Sequence, residues 1–388
     1  MEDHLTLSVK YICCPRGPFT YPEEAGLSIG GEKFHPYVLL EVHYNNKNLR
    51  SGVVDSSGLK IHLTDKLRKY EAGIMELGLI YNNWMAIPPG QKSFVLQGYC
   101  APQCTAMGLQ SGGIRVFGSQ LHTHGAGRQV RTSVVRRAGT GWEILNRDPH
   151  YSTHFQEIRT LRHPVRVMPG DTLVTSCTYN TDDRLNITLG GFGFREEMCV
   201  NYIHYYPRVD LEICKSSVAA DELRGYFDNL RDEENQETHS DQSIADNYNA
   251  IDWTKRRARD LTDFYAESRI KMQCQTGAGS QLPGDLSSIE IPRVEQNKEN
   301  CQHAGNTKES LAQDSVRLQD KQNIFKSFTK NFGDIEKRIF FKNSFQDEWA
   351  DYDAWGLDKR ADDSMNDVDT QEGHVHMNHM GKRKLGSM

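Results

Sequence analysis

Residues 119–128 of the chain are Ser-Gln-Leu-His-Thr-His-Gly-Ala-Gly-Arg, the stretch on which the predicted fold depends. An alternating run that begins near Ile114 leads into it, which predicts a β-strand that the glycines end. Alternate side chains of a strand share a face, so His122 and His124 would project together, roughly 7 Å apart at the backbone. In a helix the two side chains would diverge. The pattern therefore predicts a metal-ligand pair at a strand end, with two hydrogen-bonded or surface histidines as the alternative.

Short apolar runs separated by turn signals recur on both sides of this stretch. Pro-Pro-Gly at 88–90 and Met-Pro-Gly-Asp at 168–171 mark two of the turns. The predicted strands include residues 37–44, 59–63, 73–78, 93–97 and 171–176. Many short strands with no helical periodicity between them are typical of an all-β protein. We therefore expect an antiparallel, jelly-roll-like β-sandwich.

The chain has 388 residues and a formal net charge of -6, which gives no reason to expect a nucleic-acid partner. No apolar run approaches the roughly 20 residues of a transmembrane helix. Residues 1–15 lack the pattern of a secretory signal peptide. Residues 217–277 are predicted to form a partly helical C-terminal extension, with a helix over Ile251–Met272. Polar residues dominate residues 278–388, which predicts a disordered tail.

Three longer motifs place the histidine pair in a wider pattern. They are QLHTHGAGRQV at residues 120–130, SCTYNTDDR at 176–184 and GGFGFREEMCVNYIHYYP at 190–207. Together, and in this order, they resemble the second half of the copper type II ascorbate-dependent monooxygenases. The likeness extends from about Tyr21 to about Cys274.

The resemblance implies two domains and, in the intact family, two copper ions. Residues 1–48 would be a remnant of the N-terminal copper domain, and residues 49–216 the C-terminal copper domain. His43 matches the third histidine of the electron-transferring site in the N-terminal domain. The C-terminal site would combine two imidazoles, which suit either copper state, with a thioether, which favours Cu(I). Its implied ligands are His122, His124 and Met198.

The first copper site of the family also needs an adjacent His-His pair, and the sequence contains none. One imidazole does not hold copper tightly, so one copper ion is expected in this chain, with ascorbate as the implied reductant. The incomplete first site argues against turnover by this chain, whereas the intact second domain argues for common ancestry with the family. A catalytically silent copper-binding β-domain with an interaction tail, and a purely structural sandwich, are the alternatives. His150, His154 and His204 match no ligand position and are expected to be structural or solvated.

Within the family the motifs most resemble enzymes that use O2 to hydroxylate the benzylic carbon of a phenylethylamine, dopamine to noradrenaline or tyramine to octopamine. Peptide-amidating relatives have an arginine where this chain has Gln120 and an asparagine where it has Val200. A neutral amide lacks the fork with which arginine clamps a carboxylate. Tyr202, four residues after Met198 on the same strand face, is the candidate to line the pocket. Glu76 is a candidate partner for the substrate ammonium, with a solvated strand carboxylate as the alternative.

The resemblance also implies three disulfides, and disulfides indicate an oxidising compartment. The implied pairs are Cys100 with Cys214, Cys177 with Cys199, and Cys104 with Cys274. Asn186-Ile187-Thr188 is a predicted N-glycosylation sequon. The implied location is the secretory-vesicle lumen or the extracellular space. The resemblance allows a homo-oligomer, although the tandem cysteines that link subunits in the family are missing here.

Overall fold

The computed structural model describes residues 11–12, 19–30, 41–45, 51–52, 54, 60–137, 141–290 and 336–340. Its strands are β1 (Tyr11–Ile12), β2 (Ala25–Gly26), β3 (Glu41–Asn45), β4 (Tyr70–Glu71), β5 (Gly73–Leu79), β6 (Ala86–Ile87), β7 (Phe94–Cys100), β8 (Ile114–His122), β9 (Gly127–Val135), β10 (Trp142–Asp148), β11 (Arg159–Val167), β12 (Thr172–Tyr179), β13 (Thr188–Leu189), β14 (Val200–Tyr206), β15 (Leu211–Val218), β16 (Ile270–Thr276) and β17 (Glu336–Phe340). Its helices are α1 (Pro102–Gly108), α2 (Ala220–Glu234), α3 (Ile244–Asn249) and α4 (Lys255–Glu267). None of the helices in these ranges has both the length and the apolar composition that a bilayer span needs.

Two β-sheets form the body of the domain, which confirms the all-β prediction. The larger sheet has the strand order β11-β8-β14-β5-β15-β16, and the smaller has the order β10-β9-β12-β7. Neighbouring strands are antiparallel in both sheets except for β5 and β15, which are parallel. Two-stranded pairs β6–β13 and β2–β4, and the set β1-β17-β3, complete the sheets.

The core lies between the two sheets because each contributes one apolar face. Met75, Leu77 and Ile203 of the larger sheet share a buried cluster with Val134 and Leu173 of the smaller sheet. Full burial of such a side chain contributes about 1.5–3 kcal/mol to folding. One face of the larger sheet is thereby used for packing. The opposite face, called here the outer face, carries the side chains of Gln120 and His122 from β8 and of Tyr202 and His204 from β14.

The segment 19–30 covers part of the outer face with aromatic rings. The ring of Phe19 stacks on that of Phe117, with centroids 6.1 Å apart, and meets that of His204 edge-on at 4.9 Å. The hydroxyl of Tyr21 lies 3.3 Å from Nδ1 of His204. A Cβ on Gly118 would lie 2.8 Å from the Phe19 ring, so this close packing requires glycine. His204 is therefore structural, and burial lowers its pKa to about 3.

The buried His204 makes stability depend on pH. Its pKa in the unfolded chain is about 6.5, so between about pH 6.5 and 3 the unfolded chain binds a proton that the folded chain does not. Stability should fall as the pH decreases through this window, by up to about 1.4 kcal/mol per pH unit from this group. We expect His204→Gln to show a shallower loss between about pH 7 and pH 5 in urea unfolding than the parent chain. His150→Gln, at an exposed histidine, should keep the full loss; equal slopes for the parent and both variants would contradict the assignment.

Three disulfides fix the sandwich, and they are the pairs that the resemblance implies. Cys177–Cys199 joins β12 of the smaller sheet to the residue just before β14 of the larger sheet, with Cα atoms 5.8 Å apart. Cys100–Cys214 and Cys104–Cys274 join the region of α1 to β15 and β16. Cross-links of this kind contribute a few kcal/mol, typically about 2–4, to stability. Cys13, Cys14 and Cys301, which belong to none of the implied pairs, lie outside the described residues.

The C-terminal extension differs from the prediction in two places. The predicted helix over Ile251–Met272 is shorter and ends at Glu267, and Ile270 and Met272 belong to β16. These two apolar residues are two apart, which is strand spacing, and their side chains are buried in the core. The ordered region also continues past 277, because Leu286 and Ile289 are buried in the same core.

The structure also differs from the prediction in the strand expected at 59–63 and in part of the expected tail. Residues 60–63 of the predicted strand at 59–63 form no strand, and Ile61 and Leu63 are exposed. Within the predicted tail, β17 pairs with β1 and β3. The remainder of the tail, residues 291–335 and 341–388, lies outside the described residues.

Candidate metal centre

The two histidines predicted as ligands lie side by side at the end of β8. His122 is the last residue of the strand, and His124 follows in the turn before β9. Their ring centroids are 5.3 Å apart and the ring planes are inclined by 79°. Both residues are buried, with 0% and 3% of their surface exposed. The structure thus brings the predicted pair together inside the protein rather than on a solvated rim.

Each imidazole is oriented by a hydrogen bond at Nδ1. His124 Nδ1 lies 2.9 Å from the backbone oxygen of Glu196, and His122 Nδ1 contacts Oε1 of Gln156. Gln156 Nε2 donates to the backbone oxygen of Thr153 at 2.7 Å, which fixes which end of the amide faces His122. Both partners are acceptors, so Nδ1 carries the proton in each ring and Nε2 carries the lone pair. Histidine metal ligands are commonly held in this way.

Met198 lies between one residue that is hydrogen-bonded to His124 and another that pairs with His122 across two strands. Glu196, two positions before it, accepts from the His124 ring, and Val200, two positions after it, pairs with His122 across β8 and β14. The backbone oxygen of Met198 accepts from the Tyr179 hydroxyl at 2.8 Å. The side chain is buried, with 5% exposed. Hydrogen bonds and strand pairing therefore hold the thioether-bearing residue beside the imidazoles.

A buried carboxylate connects the two halves of the centre. Glu197 accepts the backbone N–H of His124 at 2.9 Å and that of Ala126 through its other oxygen. Nη2 of Arg184 lies 3.7 Å from the same carboxylate. Burial raises the pKa of Glu197 to about 7, and the two N–H bonds and Arg184 act in the lowering direction. The histidine turn is thus bonded directly to the residue before Met198.

The donor set fits copper. Two neutral imidazoles and a thioether are soft to borderline ligands, and the thioether favours Cu(I) over zinc or a hard cation. Across the described residues, one cluster of three His, Cys, Asp or Glu donors lies within mutual reach, namely Cys104, Cys214 and Cys274. Those sulfurs are in disulfides and are not thiolate ligands. The histidine–methionine set is therefore the candidate metal centre.

The outer face beside the centre carries the two predicted substrate residues. Tyr202 pairs across the sheet with Gln120 on one side and Glu76 on the other, and its ring centroid is 6.5 Å from that of His122. Glu76 is paired with Lys215, whose Nζ lies 3.1 Å from its carboxylate, and that Nζ is 4.0 Å from the Tyr81 ring centroid. Tyr202 is thus next to the centre. The Glu76 side chain is only 15% exposed and its carboxylate is paired with Lys215, so it is not the solvated strand carboxylate of the alternative prediction.

The remaining predicted positions belong to other strands and to loops. His43 is in β3, opposite Arg338 of β17, and its side chain is outside the described part of the structure. Asn186 is exposed, as a glycan acceptor must be. Exposed His150 and His154 occupy the loop between β10 and β11.

Sequence reasoning did not find two residues that organise the centre. Gln156 is 34 positions from His122 and lies in a loop, where no periodic pattern marks it. Glu197 is in the Glu-Glu-Met-Cys motif, but the motif alone does not show that its side chain is buried. Gln156 contacts the His122 ring, and Glu197 accepts the backbone N–H of His124.

Comparison with known proteins identifies the family to which the chain is similar. The family model for the copper type II ascorbate-dependent monooxygenase C-terminal domain matches residues 70–227, and that for the N-terminal domain matches residues 12–51. Dopamine beta-hydroxylase of Homo sapiens is 48% identical over 278 residues, which is 71% of this chain and 45% of the relative. Tyramine beta-hydroxylase of Caenorhabditis briggsae is 45% identical over 267 residues, 69% of this chain and 45% of the relative.

A third similar protein is DBH-like monooxygenase protein 1 of Mus musculus, 44% identical over 201 residues, which cover 51% of this chain and 33% of the relative. The chain spans less than half the length of these relatives. The two family models match successive parts of one chain, the N-terminal domain before the C-terminal domain. This chain belongs to the copper type II ascorbate-dependent monooxygenases.

Proposed function

We propose that the chain provides the oxygen-activating half of a copper- and ascorbate-dependent monooxygenase that hydroxylates the benzylic carbon of a phenylethylamine. The observation that carries the proposal is the convergence of His122, His124 and the Met198 segment, with both Nδ1 atoms already bonded to acceptors. Copper bound there would supply the redox chemistry, with O2 as oxidant and ascorbate as the source of two electrons. One oxygen atom enters the C–H bond and the other leaves as water.

The protein contributes to this reaction by positioning the imidazoles and by excluding water. Gln156 and Glu196 hold the imidazoles in the tautomer that presents Nε2, so little reorganisation is needed when the metal binds. Burial of both histidines keeps bulk water from their ring edges. The Glu197 carboxylate holds the histidine turn against the methionine segment through two backbone N–H groups. These contacts preorganise the donor set before any ligand arrives.

The outer face favours an aryl amine as the substrate class. Gln120 is neutral, so it offers no ion pair to a carboxylate, and Tyr202 presents an aromatic side chain next to His122. Two similar proteins are named dopamine and tyramine beta-hydroxylase. We infer that the substrate is a phenylethylamine such as dopamine or tyramine. The three disulfides and the exposed Asn186 support a secretory-vesicle or extracellular location.

We expect the full chain to bind about one copper ion, although the intact family uses two. The sequence contains no adjacent His-His pair to accompany His43, and a lone imidazole binds copper weakly. Elemental analysis after anaerobic Cu(I) loading and removal of weakly bound metal measures the ratio. A ratio near two per chain would contradict this expectation.

Turnover tests the proposed function itself. The Cu(I)-loaded full chain is given tyramine or dopamine, O2 and excess ascorbate, and mass spectrometry identifies the product. We expect a product with one added oxygen at the benzylic carbon, absent in a His122→Ala, His124→Ala variant. Copper binding without any hydroxylated product would overturn the proposal and favour the catalytically silent copper-binding domain.

A further inference from the structure

We propose that the side-chain oxygen of Gln120 binds the protonated amine of the substrate, an inference that rests on the proposed function. Gln120 is 1% exposed, and its Nε2 donates to the backbone oxygen of Gln156 at 2.6 Å, which fixes the orientation of the amide. Within the described residues, its Oε1 is buried and accepts no hydrogen bond. A buried acceptor without a partner has lost its hydrogen bonds to water, so folded proteins rarely keep one without a use.

This unpaired oxygen belongs to the metal centre by position. Gln120 and His122 are two apart on β8, so their side chains share the outer face at roughly 7 Å along the strand. Gln156 joins them, because its side chain contacts the His122 ring and its backbone oxygen accepts from Gln120. The amine of a phenylethylamine is two bonds from the benzylic carbon. A carbon presented to metal at His122 therefore places the amine within this part of the face.

The surroundings of Gln120 suit a cation. Tyr202 is its direct cross-strand neighbour, and a tyrosine ring attracts an ammonium through its face. A charged donor also strengthens the hydrogen bond to a neutral oxygen. By contrast, the other two buried side-chain oxygens without a partner among the described residues, Tyr226 Oη and Gln273 Oε1, belong to α2 and β16.

Glu76 is less suited to the amine than the sequence suggests. It lies two strands from Gln120, across β14, which is roughly 10 Å by strand spacing. Its carboxylate is already paired with Lys215, and a second cation beside that ammonium would be repelled.

The test measures amine binding rather than turnover. Calorimetry on the anaerobic, Cu(I)-loaded full chain compares tyramine with 4-ethylphenol, which has the same ring and no amine. Gln120→Met keeps the length of the side chain but removes the acceptor, and should weaken tyramine about tenfold or more, the usual effect of one hydrogen bond to a charged group. Its 4-ethylphenol affinity should change less than about twofold. Unchanged tyramine affinity, or an equal fall for both ligands, would overturn the proposal.

Two further variants separate the acceptor from general disturbance. Tyr226→Phe removes another buried oxygen without a partner among the described residues, in helix α2, and should leave tyramine affinity unchanged. Gln120→Glu and Gln120→Met both lose the Nε2 donor to Gln156, but Gln120→Glu keeps an acceptor oxygen, so it should bind tyramine more tightly than Gln120→Met does. If Gln120→Glu weakens tyramine as much as Gln120→Met does, the acceptor role is wrong.

Failure of this inference is distinguishable from failure of the proposed function. A parent chain that binds neither Cu(I) nor tyramine contradicts the proposed function, and the Gln120 proposal with it. A parent chain that binds both, alongside a Gln120→Met variant with parental Cu(I) and tyramine affinity, contradicts the Gln120 proposal alone. Parental Cu(I) affinity with selectively weakened tyramine binding supports it.

Discussion

Replacing Met198 with alanine is expected to abolish tight Cu(I) binding by the full chain. The variant keeps both imidazoles but loses the thioether, the ligand that favours the cuprous state. Loss of an outer-shell partner alone lowers metal affinity about 10–100-fold, so loss of a direct ligand should exceed about 100-fold. Competition with a Cu(I)-selective chelator under anaerobic conditions measures the change. Cu(II) affinity should fall much less, because imidazole binds either oxidation state.

The alanine variant also removes packing, so the ligand role needs a second substitution. Met198 is 5% exposed, and truncation of a buried methionine to alanine costs about 2–5 kcal/mol. Met198→Leu conserves volume and should cost less than about 1.5 kcal/mol, yet it carries no sulfur. We expect Met198→Leu to lose Cu(I) affinity as Met198→Ala does. Parental affinity in Met198→Leu would show that the sulfur is not a ligand.

Met75 provides the matched control for this pair. It is as buried as Met198, but it lies in β5 on the face that packs against the smaller sheet. Met75→Leu should change stability to a similar small extent and leave Cu(I) affinity unchanged. A fall in both variants would point to general disturbance of the core.

The strands and the histidine pair could be predicted because each depends on local spacing. Alternation gave β8 its correct start at Ile114, and the two-residue separation of His122 and His124 placed them together. The same reasoning failed for the described part of the predicted strand at 59–63, where Ile61 and Leu63 are exposed. Alternation of apolar and polar residues indicates that a strand would have an apolar face, but it does not indicate which element packs on that face. A short run can therefore have the pattern of a strand without a partner strand.

The supporting residues could not be predicted because they act across the chain. Gln156 reaches His122 from a loop, and the pairing depends on how that loop folds over the outer face. The pairing of Glu76 with Lys215 required the parallel contact of β5 and β15, which no local pattern specifies. Similarly, Ile270 and Met272 continue an apolar series that suits a helix until strand pairing with β15 decides otherwise. Long-range pairing, not local preference, determined each of these outcomes.

Removing the buried carboxylate of Glu197 should destabilise the protein and weaken Cu(I) binding together. Glu197→Ala leaves the backbone N–H groups of His124 and Ala126 without their acceptor and leaves Arg184 without its carboxylate. Leaving a buried N–H group without its acceptor costs about 1–3 kcal/mol for each of the two groups. We expect a loss of that size in the free energy of unfolding, measured by urea titration of the copper-free chain with its disulfides intact. Cu(I) affinity should fall about 10–100-fold because Glu197 supports ligands from outside the donor set.

Two variants separate this positioning role from a simple loss of charge. Glu197→Gln keeps one acceptor oxygen, so it should retain one of the two backbone hydrogen bonds and fall between the parent and Glu197→Ala in both measurements. Glu196→Gln changes the neighbouring, partly exposed side chain, while its backbone oxygen, which is the group that contacts His124, stays in place. It should resemble the parent. If Glu197→Ala unfolds more easily but binds Cu(I) with parental affinity, the carboxylate stabilises the turn without aligning the ligands, since a misplaced imidazole could not keep that affinity.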